Sequence, residues 1–143
     1  MSETTSKTAV VPEKPQPRIT AHAAPYWQSC AAEKMALPYC QQCEACFYYP
    51  RLWCPQCFNQ DLSWQEVSGK GKVYSFSIIY QSPLPSYQAD LPYVLAIIEL
   101  EEGPRMMTNV VNCDVNSVHV DMPVTVTYEQ RGDMKIPQFQ PIQ

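Results

Sequence analysis

Four cysteines constrain this chain more than any other feature. Cys40 and Cys43 form one Cys-x-x-Cys pair and Cys54 and Cys57 a second, with ten residues between the pairs. Each pair puts two sulfurs on one side of a tight bend, and two such bends facing one another supply four thiolates at about 2.3 Å from a tetrahedral ion. The spacing therefore predicts a zinc ribbon around one structural Zn2+. Four sulfur ligands leave no open coordination position for water or substrate, so catalysis has to be sought elsewhere.

Two alternatives stand beside that reading. Cys43-x-x-Cys46 is also a legitimate knuckle, seven residues ahead of Cys54. Symmetric loop lengths favour Cys40, Cys43, Cys54 and Cys57, which leaves Cys46 as a small apolar residue packed beneath the ribbon. The same thiolate tetrahedron also binds iron. Redox ribbons of that kind usually place glycine after the second cysteine of each knuckle, where positive φ is favourable. Glu44 and Phe58 occupy those places here, which favours zinc over electron transfer.

With 143 residues, 45% of them hydrophobic, the chain has enough material for one modest core and a metal-stapled appendage. Its formal net charge of -4 argues against nucleic acid as the main partner. An odd cysteine count of seven, the paired spacing and the lack of a secretory segment predict reduced thiols and a cytoplasmic protein. No apolar run approaches the roughly 18 residues of a membrane span, so no membrane partner is expected.

The chain divides into four parts by pattern. Residues 1–22 are proline-rich, charged and free of aromatics, the composition of a flexible arm. Over 23–37, Tyr26, Trp27, Cys30, Ala31, Lys34 and Met35 recur at helical spacing after Pro25 and before Pro38, which predicts a short helix. The ribbon occupies 38–63. From 64 to 143 the period switches to two, with strands expected over Lys72–Tyr80, Tyr93–Leu100, Met106–Val111 and Val124–Tyr128. The first is bent at Gly69 and Gly71, and turn residues separate the rest. Four or five short strands without intervening helices suit a small Greek-key barrel of the OB type, with a small sandwich as the alternative.

Few residues suggest chemistry of their own. Cys30 and Cys113 read as core thiols, without neighbours that would lower their pKa. His22 lies at the edge of the arm and His119 between two valines. No base and nucleophile pair stands out, so catalysis by this chain alone is not expected.

Two segments carry a family resemblance: Leu37-Pro38-Tyr39-Cys40-Gln41-Gln42-Cys43, and Tyr49-Pro50-Arg51-Leu52-Trp53-Cys54-Pro55-Gln56-Cys57. Together with Ser68-Gly69-Lys70-Gly71-Lys72-Val73-Tyr74, Leu91 to Arg105, Met122-Pro123-Val124 and the ending Ile136 to Pro141, they resemble the acyl-CoA-associated proteins that join a rubredoxin-like zinc ribbon to an OB-fold. The likeness runs from about Pro25 to the C-terminus. Three positions depart from the pattern. Glu44 stands for a common glycine, Tyr49 for the first proline of a Pro-Pro-Arg turn, and Asp121 for the glycine before Met-Pro.

The resemblance implies an accessory subunit bound to a thiolase-like enzyme, or in some relatives a hydratase-like one. The partner would supply the nucleophile and bases for Claisen or retro-Claisen chemistry, on an aromatic or steroid-derived acyl-CoA in some complexes. This chain would stabilise it and help enclose the CoA thioester. Arg51 on the ribbon, with Lys70, Lys72 and Arg105 on the barrel, are the candidate phosphate contacts. Arg51 leads because its place in the motif matches the family. Tyr26, Trp27, Phe47, Tyr48, Trp53 and Tyr87 are more aromatics than a small ribbon covers, so some are expected to anchor the partner. The competing class is nucleic-acid binding, which ribbons and OB-folds often serve. It would want basic residues among aromatics, whereas Glu99, Glu101 and Glu102 make one hairpin acidic.

Overall fold

The helix is shorter than its periodicity suggests. In the computed structural model, which describes residues 13–142, α1 spans Ala24–Ala31 with proline in its first turn. It ends because Glu33 takes a left-handed φ of 59°. There the Glu33 and Lys34 amides donate to the Cys30 and Ser29 carbonyls at 2.9 Å each, the paired bonds of a Schellman cap. That cap usually falls on glycine, and its absence hides the stop from the sequence. Met35 is thus not helical but leads into a strand.

Three short strands build the ribbon sheet. β1 (Ala36–Cys40) pairs antiparallel with β2 (Ala45–Cys46) on one side and β3 (Leu62–Glu66) on the other. Pro38 lacks an amide hydrogen, but its carbonyl accepts from the Phe47 amide at 3.0 Å, so a proline that reads as a breaker still serves one edge of the sheet. A small cluster of Cys40, Phe47 and Cys54, flanked by Cys57 and Leu62, is the ribbon's own core.

Five strands close the barrel: β4 (Lys70–Ile79), β5 (Tyr93–Leu100), β6 (Arg105–Val110), β7 (Pro123–Arg131) and β8 (Met134–Pro141), in spatial order β4-β5-β6-β8-β7. All pairings are antiparallel except β6 with β8, where Val110 lies opposite Phe139. This is the Greek-key OB topology. Four strands fall close to their expected places because apolar residues alternate along them; Val94, Ala96, Ile98 and Leu100 all point inward from β5. β8 escapes that test, carrying two prolines and polar Gln138. The Gly132-Asp133 turn that folds it back on β7, pairing Arg131 with Met134, was its available signal.

The glycine pair serves closure as well as bending. β4 pairs with β5 and, over Lys70–Lys72, also with β7. A side chain at Gly71 would drive into the Glu99 carbonyl of β5, and one at Gly69 into Val126 of β7. Further along β4 the register shifts between Val73 and Ser75, so a bulge at Tyr74 adds curvature.

One core unites the lobes. Tyr26 and Cys30 of α1, with Met35 and Leu37 beside them, pack into the same cluster as Val73, Ile98, Val124 and Phe139 of the barrel. Of the arm expected over 1–22, residues 1–12 lie outside the described residues. Residues 13–22 rest on the barrel through Lys14, which pairs with Asp90 and Glu129. No helix among the described residues is long and apolar enough to cross a membrane.

Candidate metal centre

The two knuckles face each other across the end of the ribbon sheet. β1 delivers Cys40 and the turn before β2 delivers Cys43. Cys54 and Cys57 come from the loop before β3. The four Sγ atoms all lie within 4.8 Å of one another. Cys40 Sγ is 3.6 Å from Cys57 Sγ, and Cys43 Sγ is 3.8 Å from Cys54 Sγ. A regular tetrahedron with bonds of about 2.3 Å has edges of about 3.8 Å, whereas a disulfide requires about 2.05 Å. The donor set thus fits a tetrahedral metal ion, and the seven cysteines are free thiols. Cys46 stays outside it, half-buried on β2 and packed against the barrel core.

Backbone geometry prepares the sulfurs for negative charge. The Cys43 amide donates to Cys40 Sγ, and the Gln56 amide to Cys54 Sγ, both at 3.4 Å. The first bond holds the Cys40 thiol down at about 7. Cys43, sharing protons with the Cys57 and Cys54 sulfurs, is pushed up to about 12. Cys43 therefore stays protonated in neutral solution unless a divalent cation at the centre of the cluster offsets the charge.

Both knuckles keep the conformation that glycine would favour. Glu44 has φ 53° and Phe58 φ 64°, and Asp121, the third non-glycine substitute, has φ 70°. The backbone demand outlives the residue type, at a cost of about 1–2 kcal/mol each. Missing glycines are accordingly a weaker argument about the metal than the sequence suggested.

The basic residues do not share one environment. Lys72 lies 3.7 Å from both Glu99 and Asp121. Arg105 donates to Glu99 at 3.1 Å while its guanidinium covers the Tyr74 ring at 3.8 Å. One carboxylate thus compensates two of the four cations. Arg51, in the ribbon loop, and Lys70, opening β4, are exposed and form no ion pair among the described residues.

The aromatics divide as well. Tyr26 and Phe47 are buried core residues and not surface anchors. Tyr26 meets Trp27, Tyr48 and Tyr49 edge to face, which wedges α1 against the ribbon. Trp53, with Leu52 and Phe58, stays exposed. Cys30 is a core thiol whose burial pushes it up to about 12. The sequence reading missed the polar cluster at the barrel mouth, where Lys14, Asp90, Glu129 and Arg131 meet, because its members are scattered along the chain.

Residues 64–129 match the family model described as ChsH2, C-terminal OB-fold domain. A DUF35 domain-containing scaffold protein of Methanothermobacter thermautotrophicus is 36% identical over 92 residues, covering 64% of this chain and 68% of its own length. The chain belongs to the DUF35 family. Among solved structures, the DUF35 fold here superposes on a chain of an Ltp2-ChsH2(DUF35) aldolase with a TM-score of 0.79 at 28% identity, covering 88% of this chain and 98% of the other. A probable enoyl-CoA hydratase alpha subunit of Thermomonospora curvata is 30% identical over 129 residues, 90% of this DUF35 chain. The chain spans only 40% of that relative's length.

Proposed function

We propose that this chain is a non-catalytic, zinc-holding subunit of an acyl-CoA enzyme complex whose catalytic partner is thiolase-like. The partner carries out Claisen or retro-Claisen carbon-carbon chemistry on a CoA thioester. The observation that carries the reading is the closed tetrahedron of Cys40, Cys43, Cys54 and Cys57 in a chain that superposes on 98% of a chain of the Ltp2-ChsH2(DUF35) aldolase. Those four cysteines would hold Zn2+, which supplies folding free energy and no reaction step.

The chain's own contribution is shape and charge. Zinc fixes a ribbon whose private core is too small to hold it. Arg51 and Lys70 are the better placed of the four basic candidates for CoA phosphates, since Lys72 and Arg105 already share Glu99. The second reading is a hydratase-like partner, favoured by the likeness to the Thermomonospora curvata alpha subunit along 90% of this chain.

Co-purification of the tagged chain from its native host tests both. The expected result is about one zinc per chain and a thiolase-like companion that cleaves a CoA thioester. Recovery of an enoyl-CoA hydratase in its place supports the second reading. A companion that keeps full, stable activity after this chain is stripped away overturns the role.

A further inference from the structure

We propose that the mouth of the barrel carries a binding site for a primary ammonium group presented by an extended peptide, filled in this chain by its own Lys14. The mouth lies between the β4–β5 connection and the β7–β8 hairpin, the two loops that border the ligand face of OB barrels. A cavity of about 240 Å3 opens there, lined among others by Tyr87, Tyr93, Asn109, Cys113 and Gln138.

Three groups converge on the Lys14 ammonium. Asp90 Oδ2 lies 2.5 Å and Glu129 Oε2 3.5 Å from Nζ, and the Tyr87 ring centroid lies 5.4 Å away, within cation–π range. Glu129 is preset for the task. Arg131 donates to its Oε1 at 3.1 and 2.9 Å, and Gln138, buried among barrel residues, donates to its Oε2 at 3.0 Å. Burial opposes the ammonium's charge, but the Asp90 hydrogen bond and the two carboxylates outweigh it and hold Lys14 above its ordinary pKa.

The site reads peptide backbone as well as charge. Arg131 Nη1 donates to the Pro15 carbonyl at 3.3 Å. The Gln16 side chain lies where a side chain at Gly132 would stand, so the hairpin glycine makes room for the strap. Through Lys14, which lines the cavity, this strap ties the 3₁₀ turn Pro85–Asp90 to β7. Its release would open the mouth to a lysine-bearing segment of similar form.

The test is chemical rescue in the full chain. Lys14→Ala should lower hydrogen-exchange protection of the Tyr87 and Leu91 amides, which are bonded within this turn, about tenfold. n-Propylammonium should restore it, since that ion replaces the deleted atoms. Asp90→Asn should show the same loss without rescue. Wild-type protection in either variant overturns the proposal, as does equal rescue by n-propanol, tetramethylammonium or sodium chloride. Near-UV circular dichroism identifies a variant that has lost its fold, and Lys14→Met, which keeps the aliphatic stem, then replaces Lys14→Ala with the same expected loss.

Discussion

The Tyr128 hydroxyl accepts the amide hydrogen of Met35 at 3.1 Å, a bond from the entrance of the ribbon sheet to strand β7 of the barrel. Met35 is buried, so its amide has no access to water as a substitute. Tyr128→Phe should lower stability by about 1–2 kcal/mol, the cost of an unpaired buried donor. Denaturant midpoints would show the loss, with bound zinc unchanged.

The same hydroxyl gives a pH dependence. Burial pushes the Tyr128 phenol up to about 12, against the opposing effect of the Met35 bond. A raised pKa in the folded state means that stabilisation is fully present below the unfolded value near 10. It is lost as pH rises through that value toward about 12. Stability measured across this alkaline window should fall, and phenolate absorbance should report a late-ionising tyrosine. In Tyr128→Phe that late step should shrink by one tyrosine, leaving the phenols of Tyr26 and Tyr48, which burial also pushes up.

Removing one sulfur separates the metal centre from its bystander. Cys54→Ser should abolish stoichiometric zinc and cost about 3 kcal/mol or more, a quarter of the roughly 10–16 kcal/mol that structural zinc supplies. Cys46→Ser should keep one zinc per chain. Equal zinc loss in both, by metal analysis after gel filtration, would reassign the ligands.

Glu44 holds φ 53° on an exposed knuckle, without a side-chain hydrogen bond among the described residues. Glu44→Gly should raise stability by about 0.5–1 kcal/mol, the left-handed cost less glycine's extra chain entropy. Thermal unfolding of the zinc-loaded protein is the measurement. A fall would show that the carboxylate contributes something the geometry omits.

Gly71 is a steric requirement. It does not have positive φ, but a methyl group there meets the Glu99 backbone. Gly71→Ala should therefore destabilise by about 1–3 kcal/mol, as overpacking does. Wild-type urea stability would show that the Glu99 backbone yields room for a methyl group at the seam.

What the sequence revealed depended on whether a pattern was local. The cysteine knuckles are local, and so is the alternation of β4 through β7, which made the metal centre and most of the barrel readable. The end of α1 was hidden because Glu33 does the work of glycine. β8 was hidden because Pro137 and Pro141 look like breakers, although the Pro137 carbonyl accepts from Thr108 at 3.1 Å. The neutralisation of Lys72 and Arg105 by Glu99 needed the cross-strand register. The lysine cage needed the whole fold, since Lys14, Asp90 and Glu129 come from three separate stretches. Tyr26 and Phe47 looked like spare surface aromatics because a single sequence cannot distinguish core from anchor when both are apolar.

The core that joins α1 and β1 to the barrel makes the ribbon more than a detachable badge. A barrel trimmed to begin at residue 64 would carry an open wound where Tyr26, Met35 and Leu37 had been, and would be prone to clump. In this chain the two lobes are therefore a single cassette.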